Sequence, residues 1–412
     1  MLTENVLRAI SLWRRSPFAS MAASAAVLLA VFCSAAQAQE TYRFGLANDL
    51  SGPSSYHGKT FAAGFNTYLH QINDAGGVNG RSVELLQENG ERNVQKELGF
   101  VRKFALQDKV LGVMVVTSDG LFAVKPLADS LRVPVMGVGI PELASNPPTP
   151  WVFNIFASYQ DTVFAAIDYI VNTLHDQDPK LGVVYPDNQY GLEAVRAAEQ
   201  RLQKYGKSLT SKVVMNFRDT DATTQMLALK QAGVKYVIVQ LTGAHTAAIL
   251  RDAAKVGLNS TVFATTQGMD REPDLILGQP GGHELATHFI GVGPWSKWNE
   301  SSVPGIKVMQ DAVKKYDNVA DGNLANTMYS NFVQGYVTSM VMVEALRMSG
   351  PQPTAEKVRD AMSSLTKFST NGITPPISFG PDRRKGFSAV KLFRINPAKK
   401  VYEPIGNWVN EN

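Results

Sequence analysis

The sequence predicts an α/β protein built as two doubly wound lobes, and three observations carry that expectation. From residue 42 onward, short β-branched or apolar runs alternate with amphipathic helical stretches. The alternation breaks at a proline-rich segment, ASNPPTP (144–150), and then restarts. The chain has 412 residues, enough for two cores. Strand–helix alternation is the pattern of parallel sheets wrapped by helices.

The elements follow in order. YRFGLAND (42–49) reads as a strand, and 58–75 as a helix with Phe61, Phe65 and Leu69 four apart on one face. A strand near 82–87, a helix near 92–107, the strand LGVMVVT (111–117), a helix near 120–131 and the strand VPVMGVG (133–139) complete the first series. After the prolines, WVFNIF is a strand, 159–175 a helix and LGVVYPD (181–187) a strand. Helix 190–205, strand 212–217, helix 222–232, strand KYVIVQL (235–241), helix 244–256 and strand 261–265 follow. Beyond them come a strand at 286–293, helices at 303–318 and 324–348, and short strands joined by polar turns over 376–405. The long helix carries Met328, Phe332, Tyr336 and Met340 at spacing four, the mark of a buried face.

One glycine-rich stretch, QINDAGGVNGRSVELL (71–86), needs its own reading. A phosphate loop runs strand, glycines, helix, so that helical N–H groups face the anion. This stretch runs from helix to strand. Gly76 or Gly77 suits a left-handed helix end, and Asn79-Gly80 a tight reversal, so it reads as punctuation.

Residues 1–38 read as a cleavable export signal. Arg8, Arg14 and Arg15 precede an uncharged run from about Ala19 to Phe32, shorter than the roughly 20 residues of a membrane span. Ala36-Gln37-Ala38 then places the cut after Ala38. The signal holds three Arg and one Glu, so the mature chain keeps 37 basic against 35 acidic residues. Such a balance without a basic cluster speaks against nucleic acid. Cys33 is the only cysteine and falls inside the signal; Phe32 before it is bulky where a lipoprotein signal wants a small residue. The exported chain therefore has no disulfide.

Catalytic patterns were tested and fail. In GPSSYHGKT (52–60), Gly52 and Gly58 enclose five residues where a P-loop has four. GGHELATH (281–288) looks like a zinc-protease helix, but His283 and His288 are five apart, about 140° around a helix. The GVG triplets at 137–139 and 291–293 lack the third glycine of a dinucleotide loop, and there is no Gly-x-Ser-x-Gly elbow. No catalytic residue, metal or cofactor is expected, and the chain is not read as an enzyme.

QINDAGGVNGRSVELL strongly resembles the segment typical of the leucine/isoleucine/valine-binding group of periplasmic solute-binding proteins, the receptors of ABC importers. LSGPSSYHG (50–58), VTSDG (116–120), VPVMG (133–137), PDNQYG (186–191) and KYVIVQL with VGLNSTVFATTQG match in order, so the likeness covers essentially the whole mature chain. The resemblance implies a type I bilobed binding protein with three interlobe crossovers and a ligand cleft between the lobes. Residues 41–155 plus 293–372 would form one lobe, and 156–292 plus 373–412 the other. It implies a monomer in the periplasm that captures a branched-chain or other amino acid, or a related carboxylate or amide, by hinge closure. ABC permease and ATPase subunits would be its partners. The alternatives are a sensing receptor of the same fold for a membrane kinase or chemoreceptor, or a binder of aromatic carboxylates.

Ligands in such folds lie at the carboxyl ends of strands. Ser118 and Asp119 follow VMVVT and start a helix, where each is equally a helix cap or a ligand contact. In the family this loop's serine binds the solute carboxylate, and Ser118 matches it. Tyr56 and Tyr190 match aromatic cleft positions, Tyr190 alternatively packing beside its helix start. Gly139 and Ile140 match a loop offering backbone contacts. Tyr159 and Thr242 are further candidates, after the first crossover and after strand 235–241. Gln267 departs from the family, where a glutamate commonly pairs with the ligand ammonium; Asp119 or Asp270 would have to compensate. Trp295 and Trp298 are either an aromatic wall or, as the better reading, a packing cluster beside the hinge.

Overall fold

The computed structural model describes residues 41–52, 55–269, 273–316 and 330–409. The export-signal reading, Asp270 and Met328 lie outside the described residues.

The first series forms a five-stranded sheet. Strand β1 (Tyr42–Asn48) leads to helix α1 (Ser55–Asp74), β2 (Val83–Asn89), α2 (Val94–Leu106), β3 (Val113–Val115), α3 (Ser118–Leu131) and β4 (Val135–Gly137). A short helix α4 (Glu142–Ser145) and the two-residue β5 (Val152–Phe153) end it. Strand order is β2-β1-β3-β4-β5, and every pairing is parallel. β3 is buried throughout, as a strand covered by helices on both faces must be.

The chain then crosses to a second sheet. Helix α5 (Tyr159–Asp168) opens it, winding into one wide turn over Tyr169–Thr173. There follow β6 (Leu181–Tyr185), α6 (Gln189–Lys204), β7 (Ser211–Val214), α7 (Thr223–Gln231), β8 (Tyr236–Val239), α8 (Gly243–Lys255) and β9 (Thr261–Ala264). Short helices α9 (Asp274–Leu277) and α10 (Gly282–Thr287) precede β10 (Phe289–Gly293). Thus Ala286 and Thr287, expected in a strand, close a helical turn that Gly281 enters with a φ of 71°.

The chain crosses back for α11 (Pro304–Tyr316), α12 (Ser330–Met348) and α13 (Ala355–Ser364), then returns as β11 (Val390–Asn396) and β12 (Val401–Val409). The second sheet runs β12-β11-β10-β9-β8-β6-β7, with the β10–β11 and β11–β12 pairings antiparallel and the rest parallel. The fold is α/β with two doubly wound sheets and three crossovers between them. The capped helix α13, which the periodicity reading passes over, starts at Thr354, whose side chain accepts from Lys357 N.

α12 lies against α1 at very short range. A Cβ at Gly64 would stand 2.0 Å from the Phe332 carbonyl oxygen, and one at Gly335 2.0 Å from that of Phe61. Of the spacing-four stripe, Phe332 and Tyr336 are fully buried there and Met340 is half-buried against the core. The glycine stretch after α1 is a turn in detail. Gly77 N donates to Ile72 O at 2.8 Å, and Val78 and Arg81 exchange both backbone hydrogen bonds around Asn79 and Gly80, whose φ values are 51° and 78°. Both central residues are left-handed, the geometry that favours Asn-Gly in tight hairpins.

Candidate functional site

Strands of both sheets end at one cleft, with about 470 Å³ of atom-free space counting its open mouth. From the first sheet come Thr117 and Ser118 after β3, Gly139 after β4, His57 at the start of α1 and Arg92 between β2 and α2. Thr117, not Ser118 or Asp119, caps α3: its Oγ1 accepts from Gly120 N at 2.9 Å and donates to Glu97 Oε2 at 2.6 Å. Ser118 and Asp119 are therefore the first two helical residues, whose amides have no acceptor within the helix. Ser118 Oγ sits so near Gly139 that a Cβ there would lie 2.6 Å from it, which keeps that position a glycine. The short α3 loop is crowded with acid. Burial first, then the nearby Asp119 and Asp49, hold the Glu97 carboxyl up at about 7, against its bond to Thr117 and the charge of Arg92.

The second sheet contributes aromatic rings. Tyr159 and Tyr190 meet edge to face at 4.9 Å, Tyr190 stacks on Phe217 at 6.1 Å, and Phe217 meets His245 edge to face at 6.0 Å. Tyr190 also donates to Leu241 O at 3.4 Å. Thr242 Oγ1 lies 2.7 Å from His245 Nδ1, and Gln267 follows β9 in a single 3-10 turn. Asn331, at the start of α12, joins from the first side; its Nδ2 donates to Gln334, which in turn holds the Val138 carbonyl at 2.7 Å.

Two contacts span the cleft. The Tyr159 hydroxyl is fully buried among Gln267, Ser118 and the Ile140 backbone; burial above all pushes it up to about 12, so it remains a neutral donor. The Arg92 guanidinium lies over the Phe217 ring, 4.5 Å from its centroid. Three buried side-chain oxygens at or beside the cleft, Gln267 Oε1, Asn331 Oδ1 and Thr266 Oγ1, have no protein partner.

Of the residues singled out in the sequence, Ser118, Gly139, Tyr159, Tyr190, Thr242 and Gln267 line this cleft. Tyr56, Asp119 and Ile140 are not among the lining residues: Tyr56 is half-buried against His57, Asp119 is the second residue of α3, and Ile140 is wholly in the core. Sequence reasoning missed His57, Arg92, Phe217 and Asn331. His57 lies inside the LSGPSSYHG stretch, Phe217 ends the strand read at 212–217 and Asn331 lies in the helix read at 324–348, while Arg92 had a visible signal as a basic residue between strand and helix. Trp295 and Trp298 stand apart, edge to face on Phe156 at 5.1 Å and on Phe332 at 6.2 Å.

A second buried polar group lies at the crossover. Lys385 Nζ contacts Glu142 Oε2 at 2.7 Å and Asp161 Oδ2 at 2.8 Å. Glu193 Oε1 accepts from the amides of Glu142, at 2.8 Å, and Gln160, at 3.3 Å. Burial, with the charge of Glu142, raises the Glu193 carboxyl to about 8. Among the described residues no group of three acidic, histidine or cysteine side chains is arranged to hold a metal, and no helix is long and apolar enough to cross a membrane.

A family model described as periplasmic binding protein matches residues 41–400. Leu/Ile/Val-binding protein homolog 1 of Brucella melitensis is 24% identical over 364 residues, covering 84% of this chain and 89% of the relative. Among solved structures, a branched-chain amino acid ABC transporter protein from Thermus thermophilus with bound valine superposes with a TM-score of 0.81 at 20% identity, covering 90% of this chain and 97% of that one. A fatty acid ABC transporter substrate-binding protein from Thermomonospora curvata gives 0.79 at 19% identity, covering 90% and 93%.

Proposed function

The chain belongs to the periplasmic binding protein family, and from that premise we propose that it is the periplasmic receptor of an ABC importer for a small organic carboxylate that lacks an α-ammonium group. It acts as a monomer, catalyses no reaction, and passes its solute to permease and ATPase subunits. The described residues of 41–155 and 293–372 would close as one half upon those of 156–292 and 373–409.

One observation carries the solute class: the described cleft lining has anion-binding groups and no acidic side chain. Ser118 presents a hydroxyl and, with Asp119, helix-end amides suited to a carboxylate. Arg92 adds a guanidinium. Where an ammonium would need a carboxylate, Gln267 offers a neutral amide. An ammonium closed in without an acid partner costs several kcal/mol, so amino acids are disfavoured. Valine and a fatty acid, the solutes named for two structural neighbours, have in common a carboxylate beside hydrocarbon, and Tyr190 and Phe217 supply an apolar wall for such a body.

A thermal-shift comparison tests this with leucine, 4-methylpentanoate, phenylalanine and 3-phenylpropanoate. The acids without an amino group should raise Tm more than their amino-acid counterparts, since a solute at 100 times its Kd adds roughly 2.7 kcal/mol. Equal or larger shifts from leucine and phenylalanine would refute the solute class.

A further inference from the structure

We infer that Asn331 selects the solute through one hydrogen bond: its Oδ1 accepts from a neutral donor beside the carboxylate, which makes a 2-hydroxy acid the favoured class. This assignment rests on the carboxylate reading above and adds what stands next to the charge.

The orientation of the Asn331 amide follows from its neighbours. Gln334, almost one turn further along α12, is wholly buried, and its Nε2 donates to the Val138 carbonyl at 2.7 Å. A carbonyl oxygen only accepts, so Gln334 must turn its nitrogen to Val138 and its oxygen away. That oxygen accepts from Asn331 Nδ2 at 3.0 Å. One backbone carbonyl thus sets two amides in series, and Asn331 keeps Oδ1 for another partner. Asn331 is 1% exposed and lines the cleft, and its Oδ1 is buried with no partner in the protein.

The other two unpartnered oxygens at or beside the cleft are less definite. The Gln267 amide lies beside the Tyr159 hydroxyl, which gives or takes a proton and so suits either end of that amide. Thr266 carries a hydroxyl, which rotates and both donates and accepts. Asn331 differs from both, because it cannot exchange its acceptor for a donor without breaking the bond to Gln334.

The anchoring of that acceptor places the donor on the solute. Val138 directly precedes Gly139, against which Ser118 Oγ packs, so Asn331 is tied to the strand end where Ser118 receives the carboxylate. A methylene beside the carboxylate leaves Oδ1 unpaired, and a ketone there sets one acceptor against another. A hydroxyl on carbon 2 donates to it and brings no charge. An ammonium would also donate, but it would be closed in with no acidic side chain among the described lining residues.

Four solutes with one skeleton separate these cases by titration calorimetry of the purified protein: 4-methylpentanoate, its 2-hydroxy derivative in both enantiomers, its 2-oxo derivative, and leucine. Wild type should bind the better 2-hydroxy enantiomer about 10-fold tighter than 4-methylpentanoate and about 10- to 100-fold tighter than the 2-oxo acid. Asn331→Leu should bring the three acids within about threefold of one another by removing that advantage. Gln334→Met leaves Asn331 in place but frees its amide to turn, so the 2-hydroxy acid should lose most of its lead over the 2-oxo acid. A 2-hydroxy acid that binds wild type no tighter than 4-methylpentanoate overturns the inference and leaves the carboxylate reading intact. A hydroxyl preference undiminished in Asn331→Leu overturns the assignment to Asn331. Leucine binding wild type more tightly than all three acids overturns the reading beneath, and the inference with it.

Discussion

Two buried polar neighbourhoods lie where the two sheets meet, and they differ in how fully they are satisfied. At the crossover, Lys385 bonds Glu142 and both oxygens of Asp161, and Asp161 also accepts from the Ser158 amide at 2.7 Å. At the cleft, Gln267 and Asn331, and beside it Thr266, each keep a buried oxygen without a protein partner. An unpaired buried polar group costs roughly 1–3 kcal/mol. A fold that pairs most of its polar groups in one place and leaves several unpaired in another is spending stability on recognition. The cluster held by Lys385, with one unpaired oxygen on Glu193, reads as structure, and the cleft as a binding surface.

The largest expected effect tests the structural half. Lys385→Met leaves Glu142 and Asp161 buried without their cation, and breaking a buried ion pair by removing one partner costs about 3–5 kcal/mol. Tm should fall steeply in a thermal melt, while solute affinity of the folded fraction stays near wild type. A variant that melts like wild type would show the cluster to be dispensable, and the contrast with the cleft would vanish.

Gln267→Glu probes the other half. A carboxylate beside the bound anion should weaken 4-methylpentanoate roughly 10- to 100-fold and favour leucine relative to it, because the new acid can pair with an ammonium. Calorimetry of the two solutes gives the ratio. If the ratio does not move, Gln267 does not face the solute, and the unpartnered oxygen in the cleft has another explanation.

The contrast also explains which parts were legible in the sequence. Strands and helices were readable because periodicity and caps are local: 42–49 against Tyr42–Asn48, and 190–205 against Gln189–Lys204. Two kinds of feature were not. α13 is short and mostly polar, so its helix rests on a Thr354 cap rather than on a wide apolar stripe. The cleft loops are irregular, and no periodicity says which of two adjacent side chains faces inward. Tyr56 was named where His57 lines the cleft, and of the adjacent pair Gly139 and Ile140, both named, only Gly139 does. Lys385 with Glu142, 243 residues apart, joins groups no local pattern connects.

A pH series sharpens the account of the crossover. Glu193 Oε2 is the one carboxyl oxygen of that cluster with no partner, and it belongs to the group whose pKa burial raises from 4.5 to about 8. A raised folded-state pKa means the native chain holds a proton that the unfolded chain has released. The stabilisation is full below pH 4.5 and is lost as pH rises through 8. Glu193→Gln should flatten that decline, so that its advantage over wild type is largest at alkaline pH. Parallel Tm curves for the two proteins from pH 5 to 9 would show that the carboxyl is already ionised.

The smallest effect separates two adjacent hydroxyls. Thr117 and Ser118 are both buried and both line the cleft at the start of α3, but the Thr117 hydroxyl is fully engaged within its own half, accepting from Gly120 N and donating to Glu97, whereas the Ser118 hydroxyl lies beside the Tyr159 hydroxyl across the cleft. Thr117→Ala removes a helix cap and should cost about 1 kcal/mol of stability. Because the lost bond to Thr117 is one of the influences holding the Glu97 carboxyl down, that group should titrate higher still, with little change in solute affinity. Ser118→Ala should do the reverse, lowering carboxylate affinity by about tenfold with stability within roughly 0.5 kcal/mol of wild type. Denaturant melts and calorimetry on the two variants resolve the pair. If Thr117→Ala costs affinity and Ser118→Ala costs stability, hydrogen-bond satisfaction does not distinguish binding groups from structural ones, even between neighbours in the chain.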